Sequence, residues 1–216
     1  MKIRTTRIET FSDGVLAIII TIMMLELKLP NIKDVTSEKA IIKDLYKLLP
    51  YFTAYILSFV TIGIYWLNHH HMFHWLEKTD EPLLILDIFS LFWVSLIPLT
   101  TALLGNYPTM SISSGMYGFV MFMTTLSFGM MRAYAIKKDL IHKANDRKHI
   151  SEIKSIFFKA NQKSVAALIL YGMSIPLAYY NVYFSYVCFI FPPIIFLIPQ
   201  GTKNQKLVEE IGVKNN

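Results

Sequence analysis

LLILDIFSLFWVSLIPLTTALL, residues 83 to 104, is an apolar stretch whose one charged side chain is Asp87. A helix that crosses the hydrocarbon core of a bilayer needs about 20 mostly apolar residues, because each backbone amide must find its hydrogen bond inside the helix. Glu81-Pro82 precedes the stretch, and proline suits the first turn of a helix, where its missing N–H would have no partner. The stretch therefore predicts a transmembrane helix that ends before the turn-forming residues 105–108, GNYP.

Similar apolar runs account for the composition of the whole chain. Of 216 residues, 54% are hydrophobic and 17% are charged, whereas soluble domains carry about 25% charged residues. We therefore predict an all-α, polytopic membrane protein with six transmembrane helices. The predicted spans cover residues 11–29, 48–67, 83–104, 112–132, 164–180 and 183–199. Asn181 divides the last two, and the membrane domain over residues 1–200 is expected to be followed by a tail over residues 201–216.

Positive charges are distributed unevenly between the two sides that six spans define. The side that carries both termini holds 16 of the 21 Lys and Arg residues. The opposite side holds the other five, which are Lys28, Lys33, Lys39, Lys43 and Lys47. Since cytoplasmic loops of membrane proteins are enriched in Lys and Arg, both termini of this multi-pass plasma-membrane protein are predicted to be cytoplasmic. Topology thereby explains the net charge of +6, and no nucleic-acid partner is predicted.

The first predicted span carries the most informative residues. Positions at spacings of three and four form one stripe along a helix. They are Phe11, Gly14, Ile18, Thr21, Leu25 and Lys28. Small residues such as Gly14 and Thr21 allow helices to approach closely in lipid, so a packing seam inside the bundle is one interpretation. Asp13 and Glu26 bracket the apolar part, and ionisable groups in a span usually face protein or water, so a functional role for this helix is the alternative interpretation.

Polar residues at the end of the second span are candidate partners for those of the first. Arg7 and Asp13 are six positions apart and point in different directions on a helix, so each needs a partner from another helix or subunit. Residues 66–71, WLNHHH, are predicted to lie on the same cytoplasmic side. His70 and His74 are one helical turn apart, but a metal site normally has three or four ligands. A structural hydrogen-bonding role is therefore favoured over a metal site, and pH sensing stays an open alternative.

Three motifs give the first three spans a recognisable pattern. Residues 7–13, RIETFSD, match the R-x-x-x-F-S-D signature of the first helix in the transmembrane protein 175 family of potassium channels. Residues 66–70, WLNHH, resemble the end of that family's second helix. Residues 95–98, SLIP, with Thr100 and residues 102–105, ALLG, resemble its third helix. The resemblance covers spans one to three, and beyond them the chain agrees with the family in size and topology.

The resemblance implies a fold and a mechanism. Bacterial members of the family are six-span homotetramers in which the four first helices line the pore. Mapped onto this sequence, Ile18 is the hydrophobic constriction and Leu25 is a second apolar ring. The hydroxyl of Thr21 forms a layer linked to potassium preference, and Gly14 lies on the same pore-lining stripe. The chain has no T-V-G-Y-G filter segment, so selectivity for potassium over sodium is expected to be modest.

The same resemblance implies a structural network at the cytoplasmic end of the pore. Its members brace the helices and do not touch the ion. They are Arg7, Phe11, Ser12, Asp13, Trp66 and His70. Asp87, early in the third span, is expected to be a buried partner of one of the histidines at the end of the second span. Lys28 fits the scheme poorly, since it would place positive charge near the outer mouth unless its side chain turns toward Glu26 or the lipid head groups.

Two other functions are alternatives to a passive potassium pore whose partners are K+, the lipid bilayer and further copies of the chain. A cation- or proton-coupled secondary transporter would use Asp13, Asp87 and the histidines, although no internal repeat supports it. A non-conducting scaffold is the other. No enzyme is predicted, because the chain shows no Ser-His-Asp set, paired carboxylates or phosphate-binding loop. No cofactor or metal is predicted either, and the single Cys188 excludes an intrachain disulfide.

Overall fold

The computed structural model describes residues 5–26, 42, 45–76, 78–138, 140 and 147–197, with residues 147–159 as backbone alone. Residues 45–47 are helical, and seven longer helices lie in these ranges. They are α1 (Thr5–Leu25), α2 (Leu49–His74), α3 (Glu81–Ser95), α4 (Ile97–Asn106), α5 (Ser111–Lys137), α6 (Arg147–Tyr180) and α7 (Val182–Leu197). Lys28 and the tail over residues 201–216 lie outside the described residues.

Four helical stretches in the described ranges are long and apolar enough to cross a membrane. They are α1, α2, α5 and the continuous pair α3–α4, which together run Glu81–Asn106. These stretches coincide with the first four predicted spans. α1 begins before residue 11 and α2 continues beyond residue 67, because polar residues at the ends of a span can extend the helix past the hydrocarbon core.

The fifth and sixth predicted spans fall within α6 and α7. α6 has 34 residues and starts in the charged segment that precedes the apolar run. α7 has 16 residues, about 24 Å of helix, which is shorter than the roughly 30 Å hydrocarbon core. Six membrane crossings therefore stay a prediction. Asn181 separates the two helices, and its Oδ1 accepts a hydrogen bond from the Tyr183 backbone N–H at 3.0 Å, as a helix-capping residue does.

The third predicted span consists of two consecutive helices. α3 ends at Ser95 and α4 begins at Ile97, because Pro98 has no N–H to donate to the carbonyl four residues before it. The helical pattern resumes where the Thr100 N–H donates to the Leu96 carbonyl at 3.2 Å. This break was not predicted, since proline inside an apolar run is often tolerated in transmembrane helices.

One face of α1 is buried and the opposite face is exposed. α1 contacts α2, α3 and α4. Its buried residues recur at spacings of three and four and are Ile8, Ser12, Leu16, Ile19 and Met23. The stripe from Phe11 to Leu25 lies on the other side of the helix. The stripe is therefore not a packing seam within the described part of one subunit.

Close packing at Gly105 makes the contact between α2 and α4 sensitive to side-chain size. A Cβ added at Gly105 would lie 2.9 Å from the Cα of Tyr51 and against its ring. Because that backbone cannot easily move away, Gly105→Ala is expected to lower the free energy of unfolding by about 1–3 kcal/mol, measured as a lower thermal unfolding midpoint in detergent. Gly129→Ala is the matched control, since a Cβ there meets nothing within 4 Å. Equal midpoints for the two variants would contradict the contact.

Candidate functional site

A buried carboxylate joins α1, α2 and α3. Asp87 in α3 accepts a hydrogen bond from Ser12 Oγ in α1 at 2.9 Å. Its other oxygen lies 2.8 Å from Nε2 of His69 in α2. All three residues are fully buried. A carboxylate is tolerated in such an interior only when it is paired and hydrogen-bonded, so these contacts hold the three helices together at one point.

Two further contacts link α1 with α2 beside this buried group. Trp66 Nε1 donates a hydrogen bond to Asp13 Oδ1 at 2.9 Å, and His70 Nδ1 lies 2.8 Å from Glu9 Oε1. The rings of Trp66 and His70 stack with their centroids 5.8 Å apart. These side chains are all partly or largely exposed, so each pair contributes less to stability than a buried one. Together they fix the rotation of α1 against α2.

A second polar layer extends the network to α5. The Tyr65 hydroxyl and Ser90 Oγ are 2.8 Å apart, and Ser127 Oγ of α5 donates to Ser90 Oγ at 3.3 Å. The Tyr65 ring also stacks on His69, one turn further along α2. Hydrogen bonds of this kind specify which faces of apolar helices meet, which hydrophobic contact alone cannot do in lipid.

The predicted pore-lining residues lie together on the exposed face of α1. Ile18 is 58% exposed and Leu25 is 77% exposed. Gly14 and Thr21 are also exposed. The Thr21 hydroxyl donates to the Ile18 carbonyl at 2.8 Å, so its oxygen lone pairs stay available to a ligand. A largely apolar face of this length needs lipid or another chain to cover it.

Four of the six predicted network residues take part in the contacts above. They are Ser12, Asp13, Trp66 and His70. The expectation that Asp87 is a buried partner of one of the histidines at the end of the second span is confirmed by its 2.8 Å contact with His69 Nε2. Arg7 and Phe11 take no part in these contacts. Both are exposed on α1, and neither joins the network that the described residues form.

The motif match did not single out His69 or Glu9. His69 shares one face of α2 with the buried residues Ile62, Tyr65 and Met72, at spacings of three and four. This periodicity is a signal that favours His69 over His70 as the buried imidazole. Glu9 gives no comparable signal, because its contact with His70 depends on how α1 is rotated against α2. Among the described residues, no group of three or more His, Cys, Asp or Glu side chains is placed to hold a metal ion.

These features define a multi-pass helical membrane protein with a polar network among its first helices. Comparison with known proteins identifies the family. Residues 7–98 match the family described as the endosomal/lysosomal potassium channel TMEM175. A potassium channel from Chryseobacterium sp. (strain P1-3) is 34% identical over 203 residues, which is 94% of this chain and 97% of the relative. The chain belongs to the TMEM175 family, and its full-length likeness is to bacterial members.

Other relatives agree with this assignment. A potassium channel from Chamaesiphon minutus is 31% identical over 192 residues, covering 86% of this chain and 90% of the relative. The crystal structure of a lysosomal potassium-selective channel TMEM175 homologue from the same species superimposes with a TM-score of 0.71 at 27% identity, over 89% of this chain and 95% of that one. The endosomal/lysosomal proton channel TMEM175 of Bos taurus is 36% identical over 98 residues, 43% of this chain and 20% of the relative.

Proposed function

We propose that this protein is a potassium channel that conducts passively through the central pore of a homotetramer. The relatives from Chryseobacterium and Chamaesiphon minutus are named as potassium channels, and the likeness to them extends over most of the chain. One α1 helix from each of four subunits lines the pore. The fold shared with the crystallised homologue supports this arrangement.

The exposed face of α1 is the observation that carries the pore assignment. The opposite face is anchored to α2, α3 and α4 by apolar packing and by the Ser12–Asp87 hydrogen bond. The free face combines Ile18 and Leu25 with the small residue Gly14 and the hydroxyl of Thr21. Four such faces brought around one axis would enclose a narrow path with apolar rings and one polar layer.

The spacing of the exposed residues along α1 indicates a role for each ring of side chains in the proposed pore. Ile18 and Leu25 are seven residues apart, about 10.5 Å along the helix, and Thr21 lies between them. Rings of isoleucine and leucine can close a pore by dewetting, and four threonine oxygens offer a weak ion site between the two rings. A shallow site of this kind favours potassium over sodium only modestly.

The proposed channel lies in the cell membrane with both termini in the cytoplasm. Residues 1–200 form the channel domain and residues 201–216 a cytoplasmic tail. The excess of Lys and Arg on the side of the termini supports this orientation. The polar network around Asp87 then lies toward the cytoplasmic end of the pore, where it braces α1 without touching the ion.

Current through planar bilayers containing the purified protein tests the proposal. Under opposed potassium and sodium gradients, the reversal potential is expected to shift toward the potassium equilibrium potential. A reversal potential that does not change with the potassium gradient would refute the channel function. A coupled transporter would instead give saturable flux that depends on a second ion, and a scaffold would give no flux.

Replacing Thr21 with alanine is expected to weaken the preference for potassium while current persists, because the pore loses a ring of hydroxyl oxygens. A contact of this kind is worth roughly 0.5–1.5 kcal/mol, so the permeability ratio should fall by about twofold to tenfold. The shift is measured from reversal potentials in mixed potassium and sodium solutions. Thr53→Ala is the matched control, since Thr53 is an exposed threonine of α2 whose hydroxyl donates to the Pro50 carbonyl three residues before it. Equal shifts in both variants would exclude Thr21 from the selectivity layer.

A further inference from the structure

A cavity lies inside the subunit and away from α1, between α2, α5, α6 and α7. Its volume is about 60 Å³. Most of its wall is apolar and aromatic, with Phe128, Tyr171 and Phe196 among the lining residues. One charged residue, Arg132 of α5, also lines it. The channel function proposed above makes no use of this arginine.

Arg132 is a buried cation with few partners. It is 3% exposed, one of its guanidinium nitrogens donates to Ser164 Oγ at 2.9 Å, and the group lies 4.8 Å from the centre of the Phe128 ring. A guanidinium carries five N–H donors and stays charged in proteins. In the described part of the chain, the carboxylates that form ion pairs do so with His69 and His70, and none pairs with Arg132.

A second polar group of the same cavity also lacks a partner. The Thr124 hydroxyl is buried and has no hydrogen-bond partner among the described residues, and Thr124 lines the cavity together with Asn68. Burying a charge without a counter-charge costs several kcal/mol, and buried hydroxyls are nearly always hydrogen-bonded. An anion in the cavity would satisfy both requirements, because it accepts hydrogen bonds from the guanidinium and the hydroxyl.

The position of the cavity indicates where such an anion would come from. Arg132 is five residues from the end of α5 and Phe196 is one residue from the end of α7. Both helix ends are on the side predicted to be cytoplasmic. The cytoplasmic leaflet carries acidic lipids, and Arg132 is the last residue of the fourth predicted span, at the boundary where their head groups begin. The volume of the cavity is several times the roughly 10–15 Å³ that one water molecule requires, so the cavity has room for the oxygens of a carboxylate or phosphate group.

We propose that the cavity around Arg132 binds one carboxylate or phosphate group, supplied by the head group of an acidic lipid of the inner leaflet. The guanidinium supplies the charge and most of the donors. Thr124 and Asn68 supply further donors at the wall, while Ser164 accepts from the guanidinium and holds it in place. The acyl chains of the lipid remain outside the cavity, in the bilayer.

Lipid binding by the purified full-length protein in neutral detergent tests the proposal. Dioleoylphosphatidate is the probe and dioleoylphosphatidylcholine the uncharged comparison, with native mass spectrometry and thermal stability as readouts. Phosphatidate is expected to bind and to raise the unfolding midpoint. Arg132→Gln should weaken this binding by about tenfold to a hundredfold, the range expected for hydrogen bonds to a charged group. Lys137→Gln, which removes an exposed positive charge from the same helix, should leave it unchanged.

Two further arms make the result decisive. Thr124→Val keeps every charge, and it should weaken phosphatidate binding by about twofold to tenfold even if Arg132→Gln fails to fold. Inorganic phosphate tests a free anion as the source. If it stabilises the protein as phosphatidate does and with the same dependence on Arg132, the anion site stands and the lipid source is wrong. Equal binding by wild type, Arg132→Gln and Thr124→Val overturns the site. The site is also overturned if the wild type binds neither phosphatidate nor inorganic phosphate. That result is expected if a carboxylate of the chain itself occupies the cavity.

Discussion

Replacing Ile18 with asparagine is expected to raise the potassium current of the reconstituted protein by about tenfold or more. Ile18 occurs four times in the proposed pore, and its side chain is 58% exposed on the free face of α1. A ring of such side chains excludes water from a narrow constriction, so the ion must shed its hydration to pass. Each 1.4 kcal/mol removed from the barrier raises the rate about tenfold. Four amides in place of four apolar side chains should lower it by at least that amount.

The current is measured in planar bilayers or by flux into liposomes at equal protein density. Ile85→Asn is the matched control, because Ile85 is 66% exposed and lies on α3 instead of α1. Its replacement should leave the current unchanged. If Ile18→Asn has no effect, or if both variants conduct equally well, the constriction is not formed by this face of α1.

Replacing Asp87 with leucine is expected to lower the free energy of unfolding by about 3–5 kcal/mol, the usual effect of removing one member of a buried pair. The change removes the acceptor of His69 and leaves a fully buried imidazole without its carboxylate. Ser12 is affected less, since its hydroxyl can donate instead to the Ile8 carbonyl, which lies 3.0 Å away. The loss of stability is measured by thermal unfolding of the purified protein in detergent. The readout is the fraction of the protein that remains monodisperse after heating.

A double variant shows whether the loss comes from the broken pair. His69→Phe together with Asp87→Leu replaces both members by apolar side chains, and such replacements are often close to neutral. The double variant should therefore unfold at a higher temperature than Asp87→Leu alone. Glu9→Gln is the matched control, because the pair between Glu9 and His70 is partly exposed and its loss should cost less than about 1 kcal/mol. Additive losses in the double variant would show that the two residues are not coupled.

The first four spans could be predicted from the sequence because run length and composition are local properties. Residues 83–104 illustrate this, since their apolar character sets their place in the bilayer whatever surrounds them. The break before Pro98 could not be predicted in the same way. Whether a proline bends a helix or divides it depends on neighbouring helices, which supply or withhold partners for the freed backbone groups.

Part of the candidate site could also be predicted from the sequence. Periodicity along α1 separates the stripe of Ile18 from the face of Leu16, and the structure places the two on opposite sides. The choice between His69 and His70 was harder, because adjacent residues on a helix point about 100° apart. Which of them meets Asp87 depends on the rotation of α2 against α3, and that rotation is set by long-range packing.

The free face of α1 also has a consequence for biogenesis. Between Asp13 and Glu26 the helix carries no charged residue, whereas a charge at the centre of an inserting helix costs about 2.5–3.5 kcal/mol on translocon scales. A newly made subunit can therefore enter the bilayer alone, with the proposed pore lining against lipid tails. In the proposed tetramer, association with other copies would then replace those lipid tails by the water of the pore. A pore lining that is apolar enough to exclude water is also compatible with lipid tails. The proposed conduction path can therefore be the last part of the assembly to become hydrated.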